Sequence, residues 1–396
     1  MASARPDDAR SMLQSLFTEA VAAVRGDRLA TVALNGSRAR QVIVLGKAAE
    51  ALAQGAWQAL GDRIESGFLA LPRGYETGEL PATAPFERHF GAHPLPDDSS
   101  LAAGAALARF AAGCPDGQPV AVLVSGGASA CIEHLVEGVD LALLRRVNTW
   151  AMQSGLAIAR INAVRARFSQ LKAGGLARWL QHCEVRAWVL SDVLEGGERW
   201  VGGSPLVPVT DELPPLPGWL QHIVDALPER PRVQPVRLDR LGGNAEAVRA
   251  VCRAGAEHIG TLTGGMDAVV GELVDFIEQS PPGLYVWGAE TTFKLPRSSG
   301  EGGRCRHLAL AVARRLAGRE DWTLLAAGTD GWDGTDAVAG ACVDGYTVAR
   351  GKDRGQDAIE ALWHADSGGF FFGSDETIVT GPTGTNTNDL VILLKR

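Results

Sequence analysis

The 396-residue chain lacks most of the features that would fix its class directly. No apolar run approaches the roughly 20 residues that cross a bilayer, and Met1–Arg10 has no apolar centre of the kind a secretory leader carries. The expectation is a cytoplasmic protein with no membrane partner. Positive charge is in short supply: 38 Lys and Arg face 46 Asp and Glu, a net charge of -8. Nucleic acid and anionic membranes both reward a positive field, so neither is expected as a partner. The six cysteines, at 114, 131, 183, 252, 305 and 342, form no CxxC pair, which suits reduced thiols better than a disulfide framework or a zinc site. Eight histidines show no HExxH or other close spacing. No GxxxxGK[ST] loop occurs, and no GxGxxG follows a candidate strand with an acid about 20 residues later.

What is present is an ordinary globular composition, 46% hydrophobic with 48 glycines, long enough for roughly two domains. Met12, Leu13, Leu16, Phe17, Ala20, Val21 and Val24 recur at helical spacing. Three short apolar runs then end in polar or glycine-rich turns. Gln41–Leu45 ends at Gly46-Lys47, Val120–Val124 at Ser125-Gly126-Gly127-Ala128-Ser129, and Ala187–Leu190 at Ser191-Asp192-Val193. Strands alternating with helices in this way predict a Rossmann-like, doubly wound parallel sheet, on which ligands bind at the carboxyl ends of the strands. Prolines cluster between 205 and 236, which places a boundary there: residues 1–235 form one domain and 236–396 a second, smaller α/β domain with a mixed sheet. In the second, helices are expected over 244–262, 265–278 and 307–316. Strands are expected over 284–287, 291–295, 323–327, 377–379 and 390–394.

Several of the turns could carry chemistry. Gly328-Thr329-Asp330-Gly331-Trp332-Asp333-Gly334 follows an apolar strand and precedes Asp336, so three carboxylates stand on one glycine-rich loop. Such a loop can bind a metal, activate a hydroxyl or position counter-charges for a phosphate, and it can also be a plain polar turn. Lys47 opens a helix at a strand end, a place that favours an anion. Ser125, Gly126, Gly127 and Ser129 have the small side chains of an anion cradle, and equally of an ordinary turn. Arg165 and Lys172 flank a segment on which basic groups could gather, Asp192 is a carboxylate at the third strand end, and Glu290 and Thr291 offer an acid and a hydroxyl ahead of a strand. Arg304, after Gly300–Gly303, is a planar clamp for phosphate or carboxylate. The run Thr380–Asp389 gathers hydroxyls and amides, Thr383, Thr385 and Asn386 among them.

In order along the chain these segments are GKAA, HPLPD, SGGAS, NAVR with KAGG, SDV, GAETT, GEGGR, GTDGWDG and TGPTGTNTND. The series resembles the glycerate 2-kinase family, whose second domain carries the MOFRL-type module, over residues from about 40 to the end. GTDGWDG followed by TGPTGTN is the most specific part. The resemblance implies a transferase that uses ATP and a divalent metal, magnesium, to phosphorylate the 2-hydroxyl of glycerate. It implies a site in the cleft between a Rossmann-like domain and a smaller α/β domain. Lys47 and Arg304 would then contact substrate or the transferring phosphate, Asp192 would be a site carboxylate and candidate metal ligand, and Asp330 the general base with Asp333 nearby. Ser125–Ser129, Glu290, Thr291, Thr383, Thr385 and Asn386 would meet nucleotide or substrate. The chain departs from the family pattern at Cys305-Arg306-His307, where Asn-Gln-Glu is usual, at Leu194–Gly197, at Gly203-Ser204-Pro205 and at Ala173. Two alternatives stay open: an oxidoreductase acting on hydroxypyruvate, a label attached to relatives of this family, and a divergent member that only binds nucleotide or acid. The oligomeric state is open, a homodimer among the options.

Overall fold

A computed structural model gives the fold and describes residues 6–396 except 157, 195–196, 209–212, 230, 232, 294–295, 297–298 and 335. The chain forms two compact units, one of Gly26–Leu241 and one that joins Gly242–Arg396 to the chain's beginning through Arg25.

The Gly26–Leu241 unit is built on six strands: β1 (Gln41–Leu45), β2 (Ser66–Pro72), β3 (Phe86–Gly91), β4 (Pro119–Ser125), β5 (Glu184–Leu190) and β6 (Leu238–Gly242). Their order is β3-β2-β1-β4-β5-β6, and the first five run parallel. Every residue of β1 is buried, as an apolar strand covered on both faces must be. Ile43, Leu45, Phe68, Val122 and Val124 pack with Ala103 and Leu107 of the helix Asp98–Ala112. The three runs expected as strands are β1, β4 and β5. β2, β3 and β6 escaped the pattern; β3 is polar at Glu87, Arg88 and His89 and stands at the sheet edge. A satellite cluster of Leu144, Val147, Val164, Phe168, Leu220 and Val224 ties the helix Gly218–Ala226 to the helices Leu141–Gln153 and Ile158–Arg167. The proline-rich stretch is therefore part of this unit, and the boundary falls at 241/242 rather than at 235/236.

The second unit holds β7 (Glu257–Gly265), β8 (Gly283–Thr292), β9 (Trp322–Gly328), β10 (Gly340–Asp344), β11 (Thr377–Ile378) and β12 (Asp389–Lys395), in the order β11-β10-β9-β12-β8-β7. β7 and β8 are parallel and the other pairs antiparallel, the mixed sheet expected. The chain's last strand sits in the middle of it. The first helix, Pro6–Ala23, also belongs here, a correction to the division by chain order. Its stripe of Leu13, Leu16, Phe17, Ala20 and Val21 is buried, and it packs on the helix Asn244–Arg253 and on β9 and β12. Arg10 adds ion pairs to Asp375 at 3.4 Å and Asp344 at 3.8 Å.

Three further expectations change. The helix over 244–262 stops at Arg253, and Gly255, at φ +97°, turns the chain into β7; the β-branched residues Ile259, Thr261 and Thr263 then favour a strand. Glu290 and Thr291 close β8 rather than preceding a strand, and Lys294 and Leu295 of the strand expected over 291–295 lie outside the described residues. The helix expected from His307 begins at Arg304.

Candidate active site

In the Gly26–Leu241 unit, the strand order reverses between β1 and β4, the place where open α/β sheets form a ligand crevice at their carboxyl ends. The two strand-end turns there are locked together. Gly46 has φ +110°, and a Cβ on it would lie 2.4 Å from the Ser125 carbonyl oxygen and from its Oγ, so only glycine lets the turns close. The Lys47 amide donates to the Gly126 carbonyl at 2.9 Å. Ser125 is fully buried; its hydroxyl accepts from the Ala48 amide at 3.1 Å and donates to the Leu45 carbonyl at 3.2 Å. Ser125 and Gly126, expected in an anion cradle, thus join β4 to β1. Gly127 turns the chain at φ +85°, and the Lys47 stem runs beside it: a Cβ on Gly127 would be 2.8 Å from Lys47 Cγ. The Lys47 ammonium stands 5.1 Å from the centre of the Tyr75 ring.

Next to these turns is a cavity of about 410 Å³ lined by Gly127, Ser129 and Asp192 together with His93, Asn148, Arg165 and Lys172. Asp192 is held in its turn by Ser191, whose Oγ accepts from the Val193 amide at 3.2 Å. The buried Lys172 ammonium pairs with the buried Glu133 carboxylate, which also accepts from Ser169 Oγ. Of the segment Leu194–Gly197, residues 195 and 196 lie outside the described residues.

In the second unit the loop after β9 meets the helix Arg304–Arg315. Asp333 is buried and caps that helix from outside: its carboxylate accepts from the Cys305 amide at 2.8 Å and from the Arg306 amide at 2.9 Å, two donors that have no partner within the helix. Arg306, 2% exposed along its side chain, grips the same carboxylate through Nε at 3.1 Å and reaches Asp336 at 2.8 Å. Burial pushes the Asp333 pKa up, opposed by the Arg306 amide and guanidinium. Asp336 and Asp333 hold the Arg306 pKa above its ordinary value although burial alone would lower it.

Asp330 is 8% exposed and accepts from the Trp332 amide at 3.1 Å. Gly331, at φ +89°, has the Gly381 carbonyl 2.1 Å from where a Cβ would stand, so the Thr380–Asp389 segment lies directly against the loop. Arg304 donates to the Thr291 carbonyl at 3.3 Å and pairs with Asp389 at 3.1 Å. The Asp389 pKa rises to about 6: burial raises it most, Arg304 opposes, and Asp333 and Asp330 add like charge. Thr383 donates to the Thr329 carbonyl at 2.6 Å and Thr385 to the Val24 carbonyl at 2.7 Å, so both expected ligand hydroxyls fasten the segment in place. Asn386 and Thr291 are buried, and Glu290 is exposed.

The expected residues therefore fall into two sets. Lys47, Gly127, Ser129 and Asp192 gather at the β1, β4 and β5 ends, and Arg304, Asp330 and Asp333 gather around the loop after β9. Asp389, the first residue of β12, joins this second set although the TNTND run that contains it does not single it out. Its pairing with Gly328 in the strand register, which sequence spacing does not disclose, brings it there.

A doubly wound parallel unit joined to a mixed-sheet unit, each with polar groups at its strand ends, defines a two-unit α/β protein. Residues 12–214 match the model of a domain of unknown function, DUF4147, and residues 283–389 match the MOFRL family. The D-glycerate 2-kinase of Thermotoga maritima is 30% identical over 98% of both chains, and the glycerate 2-kinase of Pyrococcus horikoshii is 29% identical over 89% of this chain and 86% of its own. The crystal structure of glycerate kinase from Thermotoga maritima matches with a TM-score of 0.81 at 28% identity, covering 99% of this chain and 100% of its own. The chain belongs to the glycerate 2-kinase family.

Proposed function

We propose that the protein is an ATP-dependent kinase that phosphorylates the 2-hydroxyl of glycerate to give 2-phosphoglycerate. The observation that carries this reading is the loop Gly328–Gly334, where Asp330 stands beside the Arg304–Asp389 pair in a chain alike from end to end to glycerate kinases. Phosphoryl transfer asks little covalent work of a protein: a carboxylate at the attacking hydroxyl and cations around the phosphoryl oxygens. Asp330 takes the proton from the substrate hydroxyl. Lys47, steadied over Tyr75, and Arg304, oriented by Asp389, are the cations. Asp333 acts through Arg306 and the helix it caps, which fixes the start of that helix and with it Arg304.

The donor set fits magnesium carried in with a nucleotide. Among the described residues no three His, Cys, Asp or Glu side chains form a metal cage, and magnesium commonly takes only one or two protein carboxylates beside phosphate oxygens and water. Asp192, on the cavity beside Ser129, is a hard oxygen ligand of that kind. When bound, the ion would neutralise phosphate charge. Glu290, exposed at the end of β8, stays a candidate nucleotide contact; Thr383 and Thr385 act through the loop they hold.

The test is ADP release by the purified protein with glycerate, ATP and magnesium. Release that depends on glycerate is expected. None above background with glycerate and a panel of small hydroxy acids would overturn the proposal, and nicotinamide oxidation driven by hydroxypyruvate would favour the oxidoreductase alternative instead.

A further inference from the structure

The Asn148–Arg165 pair on the cavity beside Asp192 is explained by none of the roles assigned above. Arg165 is half-buried on the helix Ile158–Arg167. Its Nε donates to the side-chain oxygen of Asn148 at 2.9 Å, and Asn148, on the helix Leu141–Gln153, is itself 6% exposed. That single bond fixes the plane of the guanidinium. Among the described residues neither terminal amino group of Arg165 has a hydrogen-bond acceptor. The neighbouring cation differs: Lys172 is held by Glu133, and Glu133 by Ser169. Burial works against the charge on Arg165, with Glu133 the opposing influence. A half-buried guanidinium, oriented at Nε and without acceptors at its outer edge, is stabilised by a planar oxyanion that takes both amino groups at once.

We propose that the Arg165 guanidinium, oriented by Asn148, is the subsite that binds the carboxylate of the substrate. This rests on the kinase reading for the identity of the substrate and deepens it. Asp192 and Ser129 line the same cavity, so an acid only a few atoms long, anchored at Arg165, stays beside the turns that end β4 and β5. A molecule with the same hydroxyls and no carboxylate has nothing to offer the guanidinium. The subsite selects for hydroxy acids over polyols. Asn148 is a positioning residue: it does not touch the substrate, and it sets the angle at which Arg165 does.

Titration calorimetry of glycerate and of glycerol into wild type, Arg165→Gln and Arg165→Lys tests the subsite without requiring turnover. Glycerate affinity is expected to fall about 100-fold in Arg165→Gln and about 10-fold in Arg165→Lys, which keeps the charge and loses the fork; glycerol binds no better to wild type than to either variant. In steady-state assays the KM for glycerate rises correspondingly, while the KM for ATP stays within about twofold. Asn148→Ala raises the glycerate KM with kcat little changed, and retained thermal stability separates this from unfolding. Equal glycerate affinity in wild type and Arg165→Gln overturns the proposal, as does a rise confined to the KM for ATP, which would assign the guanidinium to a nucleotide phosphate. Absence of glycerate binding by wild type at millimolar concentration also overturns it. A wild type that binds glycerate through Arg165 and transfers no phosphate would sink the kinase reading and leave the subsite standing.

Discussion

The turn after β4 and the loop after β9 have the same sequence character, small residues and glycines at the end of a buried strand, and they are held in opposite ways. The β4 turn is fastened to β1 by neutral groups, the Ser125 hydroxyl and the Gly126 carbonyl. The ionic groups stand further out, on the cavity wall at Asp192, Arg165 and Lys172. The β9 loop is fixed through charge, since Asp333 is gripped by two amides and by Arg306, and beside it Asp389 of β12 pairs with Arg304. Identical residue types thus do different work. An aspartate beside a glycine in the β9 loop can be architecture, and a serine in the β4 turn is architecture although it looks like a ligand.

The sharpest way to break this comparison is to remove the charge that the β9 loop depends on. Asp333→Ala leaves the buried Arg306 with Asp336 as its carboxylate partner and with the backbone carbonyl of residue 333, and it uncaps the helix at Arg304. Losing one partner of a buried ion pair costs about 3–5 kcal/mol, and chemical denaturation of the variant should show a loss of that order. A loss below 1 kcal/mol would mean that the loop is not built on this charge. Asp330→Asn, three residues away, is expected to behave in the reverse manner: turnover falls about 10³-fold, the range for losing a general base, with the melting temperature within a few degrees of wild type. A variant retaining near-normal kcat would take Asp330 out of the mechanism.

Asp389 sharpens the comparison through pH. Its pKa in the folded protein is raised from 3.8 to about 6, so between those values the folded state holds a proton that the unfolded state has released. Stability from this group is therefore greatest at low pH and declines as pH rises from about 4 to 6, by up to about 3 kcal/mol. Asp389→Asn removes the decline: relative to wild type, the variant should gain stability as pH rises through that window. A flat difference would show that burial does not penalise the ionised carboxylate. The smallest effect falls on the β4 turn, where Ser125→Ala leaves the Ala48 amide without its buried acceptor, a cost of about 1–3 kcal/mol with no pH dependence between 4 and 8.

The sequence made the strands of the first sheet's centre legible, because QVIVL, VAVLV and AWVL are apolar on both faces and end in glycine or serine turns. It hid β2, β3 and β6, and it hid β10, whose Gly-Ala-Cys-Val-Asp is too short and small to show a period. The helix read through Gly255 failed because alanine and valine continue a helical spacing into His258 and Ile259 while the glycine ends it. The first helix changed units because amphipathic spacing shows that a face is buried and not against what. Within the site, the residue types were readable and their partners were not: Asp333 and Arg306 are 27 residues apart and join only after the β9 loop folds onto the helix. Asn148 and Arg165 meet across two helices in the same way.

The most direct measurement is a phosphorus NMR spectrum of the product formed by the whole protein from glycerate, ATP and magnesium. The resonance of 2-phosphoglycerate, growing in step with ADP and absent in Asp330→Asn, is the predicted result. A spectrum that shows 3-phosphoglycerate, or ATP unchanged in the presence of glycerate, would contradict it.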